Sequence, residues 1–287
     1  MSASERKLWE KAAHESRVEH FYGVGAERFE EYHDGYLNFG LWDAGIEDFV
    51  PAAENLVRHV GELAELDAES RLLDVACGMG TQDVYFLRHF APAHIDALDV
   101  TWKHIEQGRR RTSAAGFGED RVKFHHGTAT ALPFPAETFT HVIGIEGPAH
   151  FDTREKFMRE AHRVLKPGGT IVMSDYTLKR QPRSLFDKAV IEGTRRIWNV
   201  PRENMDSVER YRAKMERSGF TRVEIEEAGA RVIPGYYFEQ RRPETIREVT
   251  KLRGFVHGRL GGIIDVMLYN TYRRGLLDYI FVRARKA

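Results

Sequence analysis

The chain has only one cysteine, Cys77, and it lacks long apolar runs. A single cysteine excludes an internal disulfide framework and fits a reducing compartment. No stretch approaches the roughly 18 consecutive apolar residues that a membrane-spanning helix requires. The first residues, MSASERKLWEKAAHESRVEH, are charged throughout and contain no apolar core of a secretory signal. The sequence therefore predicts a cytoplasmic protein that does not cross a membrane.

Net charge is also absent. The 287 residues include 43 Lys and Arg against 43 Asp and Glu, so bulk charge gives no reason to expect a nucleic-acid partner. The length suits one elaborated domain with a sizeable core. Whether that domain is a monomer or a homodimer is left open by the sequence.

Strand patterns alternate with helix patterns from about residue 71 onward. The predicted strands are RLLDVA, HIDALDV, VKFHHG, HVIGIEG and TIVMSDYTL, with helical segments between most of them. Helical connections of ten or more residues imply right-handed crossovers between parallel strands. The sequence therefore predicts a doubly wound α/β fold, with a mostly parallel sheet and helices on both faces.

The predicted helix from Thr153 to Leu165 has the clearest pattern. Its apolar residues form one stripe, and its charged residues, including Arg154 and Arg159, are expected to face mostly away from it. The residues KPGG at 166–169 are expected to end this helix and to turn into the next strand.

Two regions lie outside the alternation. Residues 1–65 are predicted to form an N-terminal helical cap segment rich in aromatics, in front of a main domain at 66–287. Residues 179–215, approximately, are predicted to form a helical insertion in that domain. Both either pack against the sheet or form a lid, since ligands of open α/β sheets bind beyond the carboxyl ends of the strands.

The segment LLDVACGMGTQD at 72–83 predicts a ligand turn. Asp74 lies in the strand, and Gly78 and Gly80 follow it, where glycine lets the backbone approach a ligand closely. A dinucleotide fingerprint requires a third glycine, but Asp83 stands there, so we expect it to repel a diphosphate at this helix. Asp74 is expected to organise the loop or to face a cation, because a buried carboxylate is costly without a partner.

Asp99 ends the second predicted strand, where an acid can accept two hydrogen bonds from ribose hydroxyls. The three acids together favour a ligand with a ribose, a cationic amino-acid portion and no phosphate. S-adenosylmethionine fits this description. An NAD-dependent oxidoreductase is the disfavoured alternative.

Four motifs follow one another along the chain in the order and with the spacing of one enzyme family. They are LLDVACGMG, LDVTWKHIEQGRRR, VKFHHGTATALPFPAETFTHVIGIEGPAHF and EAHRVLKPGGTIVMSDYT. Over roughly residues 20–287 the chain resembles class I S-adenosylmethionine-dependent methyltransferases, especially bacterial natural-product O-methyltransferases. The resemblance implies a seven-stranded Rossmann-like sheet that ends with an antiparallel strand at YIFVRARK. It also implies S-adenosylmethionine as cofactor, S-adenosylhomocysteine as product and a small-molecule acceptor.

The resemblance further implies a set of cofactor-binding residues after the first four strands. These are Asp74, Ala76, Gly78, Gly80 and Gln82 for the methionine portion, Asp99, Val100 and Thr101 for the ribose and the adenine face, Thr128 and Ala129 for the adenine edge, and Glu146 between cofactor and acceptor. The chain departs from the family at two positions. Many relatives have an acid where Thr128 stands, and relatives often have Gln where His104 stands.

His150 is the candidate base. Methyl transfer requires aligned reactants, exclusion of water and, for a hydroxyl acceptor, removal of a proton. Histidine has a suitable pKa, and His150 follows the fourth strand in EGPAHF. Glu146 is the second candidate, either orienting His150 or holding the cofactor. The alternative is that His150 only packs or hydrogen-bonds locally.

The acceptor side is less defined. Tyr32, Tyr36 and Trp42, together with His150, are candidate substrate-binding residues. No histidine or cysteine spacing is typical of a metal site, so no catalytic metal is predicted. The predicted function is methyl transfer to a small molecule, first of all to a hydroxyl oxygen. A carbon or nitrogen acceptor and a non-catalytic cofactor-binding protein are the alternatives.

Overall fold

A central sheet organises the fold. The structure is a computed structural model that describes residues 14–20, 22, 33–253 and 265–287. The strands of these residues are β1 (Arg71–Val75), β2 (His94–Asp99), β3 (Val122–His126), β4 (Phe139–Ile145), β5 (Leu165–Leu178), β6 (Phe220–Glu227) and β7 (Leu277–Lys286).

The strands of the described residues form one seven-stranded sheet in the order β3-β2-β1-β4-β5-β7-β6. Strands β1 to β5 pair in parallel, and β7 runs antiparallel between β5 and β6. The predicted doubly wound sheet, including its closing antiparallel strand, is confirmed. Strand order reverses between β1 and β4, so the loops that follow these strands meet at one edge, which is where open α/β sheets bind ligands.

Both faces of the sheet are buried, as a parallel sheet requires. Leu72, Ile143 and Val172 belong to one apolar cluster, whereas their chain neighbours belong to a second cluster on the opposite face. This alternation follows from the two-residue period of a strand. The apolar runs that predict these strands are therefore covered by helices on both sides.

The longer helices of the described residues mostly connect the strands. They are α1 (Phe49–Ala64), α2 (Thr81–His89), α3 (Trp102–Ala114), α4 (Arg154–Val164), α5 (Leu185–Ile197), α6 (Val208–Arg217), α7 (Gly229–Glu239) and α8 (Pro243–Arg253). Residues 14–20 and 265–273 are also helical, and short 3-10 turns occur at Pro148–His150 and Arg202–Asn204. None of the helices within the described ranges combines the length and apolar character that a membrane span needs.

Strand β5 begins earlier than the sequence predicts. The residues KPGG lie inside β5, whose first residue, Leu165, pairs with Phe139 across a register shift in β4. The register passes directly from Leu165, opposite Phe139, to Thr170, opposite His141, so residues 166–169 form an irregularity within β5. The helix ends before KPGG as expected, at Val164, but the strand already begins at Leu165 and not after the glycines.

The described residues of the predicted cap and of the insertion are only partly helical. Residues 33–48 contain no helix, and α1 supplies most of the described helical structure before β1. The region 179–215 contains α5, the turn at Arg202–Asn204 and most of α6, which packs against β6. The division into a cap segment and a main domain stays a prediction.

Arg154, at the start of α4, lies in the core and not on the charged surface that the sequence predicts. Its side chain is 1% exposed, and its Nε donates to Asp175 at 2.6 Å. Its Nη1 donates to Asp206 at 3.0 Å and to the carbonyl of Asn204 at 2.6 Å. The guanidinium also lies 4.7 Å from the ring centre of Tyr211. Helical periodicity could not show this position, because the partners come from distant segments.

Asn204 connects this ion cluster to the turn that carries His150. Its side-chain amide donates to the carbonyls of Ala149 at 2.9 Å and Phe151 at 2.8 Å. Its Oδ1 accepts a hydrogen bond from the backbone N–H of Arg154 at 2.9 Å. The turn Pro148–His150 is therefore fastened to the segment between α5 and α6.

Replacing Arg154 with alanine should destabilise the fold by about 3–5 kcal/mol, because Asp175 would stay buried without its counter-ion. Arg159→Ala is the matched control on the same helix, since its side chain is 65% exposed and pairs only with Glu155 one turn away. That control should cost less than about 1 kcal/mol. Urea unfolding measures both, and equal losses would contradict a central role for Arg154.

Candidate active site

The turn after β1 is built from left-handed backbone. Ala76, Gly78 and Gly80 have φ angles of 65°, 56° and 72°. A Cβ on Gly80 would stand 2.9 Å from both the Cα of Gly108 and the ring of Phe124. Glycine is therefore required at position 80 for backbone conformation and for the close packing of α2 against α3.

Asp74 and Asp83 form a buried carboxyl pair beneath this turn. Both residues are fully buried, and Gln82 Nε2 donates to Asp74 Oδ2 at 2.6 Å. Burial, the Asp74 charge and a hydrogen bond to Asp74 all raise the pKa of Asp83 well above its usual value. Burial also raises the pKa of Asp74, although Gln82 and Asp83 partly offset it.

This pairing corrects the role expected for Asp83. The sequence predicts an anion that repels phosphate at the start of α2. In the fold, Asp83 is fully buried, and burial together with the Asp74 charge raises its pKa well above the usual value. A protonated Asp83 does not repel an anion at this helix, so Asp83 gives no ground for excluding a diphosphate there.

Asp99, at the end of β2, is buried but remains ionised. Its Oδ2 accepts from the N–H of Gly78 at 3.0 Å, and its Oδ1 accepts from the N–H of Thr101 at 2.8 Å. His104 Nδ1 lies 3.3 Å from Oδ1. Burial raises the pKa of Asp99, but His104 and the two backbone donors outweigh it and leave the pKa below its usual value.

The residues that follow β2 and β3 lie side by side. The carbonyl of Val100 is 2.8 Å from His126 Nε2, and the N–H of Gly127 donates to the carbonyl of Asp99 at 3.0 Å. Ala129 is buried, and the hydroxyl of Thr128 donates to Glu15 Oε1 at 2.6 Å. The structure thus brings the predicted ribose and adenine residues together at one end of the sheet.

Glu146 follows β4 in an unusual backbone conformation for a non-glycine residue, with a φ of 56°. Its Oε1 accepts from the N–H of Phe39 at 3.0 Å and from the hydroxyl of Tyr279 at 2.9 Å. Burial raises the pKa of Glu146 to about 8, and the two donors only partly offset this. The carboxyl group is therefore mostly protonated at pH 7.

His150 ends the short turn after β4 and is 7% exposed. The hydroxyl of Tyr22 lies 3.0 Å from Nε2, and His14 Nε2 lies 2.8 Å from the His150 carbonyl. Burial lowers the pKa of His150 to about 4, and a backbone hydrogen bond with Trp198 opposes this only partly. The ring is therefore neutral at physiological pH.

A mainly apolar cavity lies beside His150. It is partly open to solvent. Its walls come from the end of β5, from α5 and the segment after it, and from residues near β7, and they include Phe39, Ala149, His150, Tyr176, Leu178, Trp198, Val200, Met205, Leu268 and Leu277. The predicted insertion thus contributes to the wall of a cavity that reaches the candidate base.

The expected substrate residues are only partly found here. Tyr36 is buried in the core, and Trp42 packs against Gly235 in α7, so neither lines the cavity beside His150. Tyr32 lies outside the described residues. Phe39, from the same aromatic segment, lines the cavity instead and holds Glu146.

Sequence reasoning also missed the contacts made by the segment at 14–22. His14, Glu15 and Tyr22 reach His150 and Thr128, more than 100 residues away along the chain. No local pattern marks such contacts. For metal binding, the described parts of the chain contain no group of three or more His, Cys, Asp or Glu side chains arranged around a common point.

The Asp74–Asp83 pair should make stability depend on pH. An unfolded aspartate has a pKa near about 3.9. Because burial raises the pKa of both carboxyl groups, that of Asp74 to about 7, the free energy of unfolding should fall as pH rises from about 4 through about 7. Asp83→Asn mimics the protonated acid and should reduce this fall by on the order of 1 kcal/mol or more.

Asp120→Asn, at an exposed position, is the matched control and should leave the fall unchanged. Urea unfolding at several pH values measures the three proteins. A wild-type curve that runs parallel to that of Asp83→Asn would contradict the raised pKa of this carboxyl pair.

Comparisons with known proteins agree with this geometry. A family described as a methyltransferase domain matches residues 72–169. The chain is 32% identical over 225 residues to erythromycin 3''-O-methyltransferase of Saccharopolyspora erythraea, covering 76% of this chain and 72% of that protein. It is 26% identical over 230 residues to 27-O-demethylrifamycin SV methyltransferase of Amycolatopsis mediterranei, covering 79% and 82%.

A solved structure shares the fold over nearly the whole chain. Geranyl diphosphate C-methyltransferase from Streptomyces coelicolor A3(2) superimposes with a TM-score of 0.75 at 16% identity, covering 96% of this chain and 98% of that one. Identity this low shows the fold alone, whereas the 32% identity to the erythromycin enzyme over most of both chains shows the family. The protein therefore belongs to the class I S-adenosylmethionine-dependent methyltransferases of small molecules.

Proposed function

We propose that the protein methylates a hydroxyl oxygen of a largely apolar small molecule, with His150 as the base. The observation that carries this proposal is the position of the His150 ring. The ring is buried, lines the apolar cavity and holds a hydroxyl, that of Tyr22, 3.0 Å from Nε2. Both curated relatives described above are named for methylation at oxygen, which supports the choice of acceptor atom.

The residues after β1 and β2 fit S-adenosylmethionine. Gly78 and Gly80 give the turn after β1 its left-handed backbone, and Asp99, which is hydrogen-bonded to that turn and has a lowered pKa, stays ionised as an acceptor for hydroxyl groups. The bound cofactor supplies an electrophilic methyl group on a positively charged sulfur. We assign the methionine portion to Asp74, Ala76, Gly78, Gly80 and Gln82, the ribose to Asp99 and Thr101, and the adenine to Val100, Thr128 and Ala129.

The pKa shifts separate the roles of His150 and Glu146. His150 is neutral at pH 7, because burial lowers its pKa to about 4, so its Nε2 can accept the acceptor's proton once the acceptor hydroxyl replaces that of Tyr22. Glu146 is mostly protonated at pH 7, because burial raises its pKa to about 8. A neutral carboxyl group is a poor base, and Glu146 instead holds the backbone of Phe39 and the hydroxyl of Tyr279. We therefore assign proton removal to His150 and positioning to Glu146.

The cavity indicates an acceptor that is uncharged around the reacting hydroxyl. Its two arginines already have partners: Arg154 pairs with Asp175 and Asp206, and Arg195 pairs with Glu192 at 2.7 Å. The rest of the wall is mainly aromatic and aliphatic, which favours apolar surface on the ligand. The acceptor that fits is an apolar molecule with a hydroxyl directed at His150.

His150→Ala should lower kcat by about 100-fold or more, because general-base catalysis contributes about 10²–10⁴-fold. The Kd for S-adenosylhomocysteine should change less than about twofold, since the cofactor residues stay in place. Mass spectrometry of a panel of hydroxylated apolar acceptors finds the substrate, and calorimetry measures the product complex.

Glu146→Gln is the matched comparison, because glutamine resembles the protonated carboxyl group. It should lose much less activity at pH 7 than His150→Ala. Full activity of His150→Ala on a hydroxyl acceptor would refute the assigned base. A methyl group found on carbon or nitrogen would instead support the other acceptor chemistries, and cofactor binding without any product would indicate a non-catalytic protein.

The pH dependence of the rate provides a separate test. A base works when deprotonated, so kcat should fall as pH decreases towards the His150 pKa of about 4. Between pH 5.5 and 7.5 the rate should show no titration at the usual histidine value of about 6.5. A plot of kcat against pH, restricted to conditions where the protein stays folded, measures this. An acid limb centred near 6.5 would contradict a buried, neutral His150.

A further inference from the structure

The strand order limits where the adenine can lie if the ribose is held at Asp99. Strand β2 lies between β1 and β3, and Asp99 is hydrogen-bonded to the turn after β1 through Gly78. With the methionine portion assigned to that turn, the base, attached at the other end of the sugar, would extend towards the carboxyl end of β3, where Gly127–Thr130 follow. This step rests on the ribose placement proposed above and is independent of the acceptor and of His150.

The loop after β3 does not itself present a charged acceptor. The hydroxyl of Thr128 is used as a donor to Glu15 Oε1 at 2.6 Å. The same oxygen accepts from the N–H of Thr130 at 3.3 Å and lies 3.1 Å from the Thr130 hydroxyl. The negative charge at this point of the site therefore comes from Glu15, in the helical residues 14–20, and not from the loop.

Adenine and hypoxanthine differ at the position that would face Glu15. The 6-amino group of adenine donates hydrogen bonds, which a carboxylate accepts strongly, since charge-assisted bonds are about twice as strong as neutral ones. The 6-oxo group of hypoxanthine presents lone pairs, which a carboxylate repels. A partly buried carboxylate beside Thr128 is thus suited to distinguish the two bases.

We propose that Glu15 is a specificity-determining residue for the cofactor, which accepts a hydrogen bond from the adenine amino group. The N-terminal helical residues then do more than cover the sheet edge, because they complete the base-recognition site. The cofactor itself would link residues 14–20 to the loop after β3, in addition to the direct bond between Glu15 and Thr128.

Calorimetry with S-adenosylhomocysteine and S-inosylhomocysteine tests this, because the two ligands differ only at the purine 6-position and its adjacent proton. The wild-type protein should bind the adenine ligand at least about tenfold more tightly, as expected for one charge-assisted hydrogen bond. Glu15→Gln should reduce that ratio towards one or invert it, because the amide can donate to a 6-oxo group. Its amide oxygen can still accept from Thr128, so the helix stays attached.

Glu19→Gln is the matched control, since it removes the same charge from the same helical residues. It should keep the wild-type ratio. If Glu15→Gln weakens both ligands equally and keeps the ratio, Glu15 only attaches the helix and the proposal is wrong. A wild-type ratio near one would also refute it.

Asp99→Asn separates this inference from the ribose placement. It should weaken both ligands to a similar extent while the ratio between them stays at the wild-type value. If Asp99→Asn binds both ligands as tightly as the wild type, the ribose placement fails. In that case, the ratio of the two ligand affinities measured for Glu15→Gln would still decide whether Glu15 distinguishes adenine from hypoxanthine.

Discussion

The buried guanidinium of Arg154 is the interaction on which the site depends most. It joins the end of β5, through Asp175, to the segment that contains Asn204 and Asp206. Buried ion pairs are weak sources of stability, because well-packed apolar residues often do as well or better. A guanidinium instead fixes geometry, because its planar set of donors fits only one arrangement of acceptors. Asn204 connects this arrangement to the turn that carries His150. The ion cluster therefore positions the candidate base through Asn204, without a direct hydrogen bond to His150.

A second constraint connects the cofactor side to the acceptor side. Ala76 and Glu146 both adopt left-handed backbone at the ends of adjacent strands, which is costly for residues with a side chain. Bonds to neighbouring strands hold them there, from the N–H of Ala76 to Leu98 and from the N–H of Glu146 to Ser174. The two turns also touch, because a Cβ on Gly147 would lie 2.5 Å from the Cβ of Ala76. A shift in one turn must therefore displace the other.

Local patterns in the sequence predict most of the sheet but little of the environment of each site residue. The apolar runs around Asp74 and Asp99 and the glycines between them predict the strands and the turn, because these depend on residues close in the chain. The helical period predicts that Arg154 faces away from the apolar stripe, and only contacts with distant segments bury it. The same holds for Glu15, since its contact with Thr128 spans 113 residues. Periodicity shows which face of an element is apolar, but it cannot show which polar side chain finds a partner across the fold.

Burial, more than residue type, determines the chemistry of the four acids near the site. Asp99 keeps its charge because His104 and two backbone N–H groups offset the cost of burial. Burial raises the pKa of both Asp74 and Asp83, and burial raises the pKa of Glu146 to about 8. One full negative charge at Asp99 and at most one on the pair therefore face the turn after β1, fewer than the sequence suggests. The turn is therefore suited to a ligand that has one positive centre and neutral hydroxyl groups. It also avoids several buried charges, which would need counter-ions when no ligand is bound.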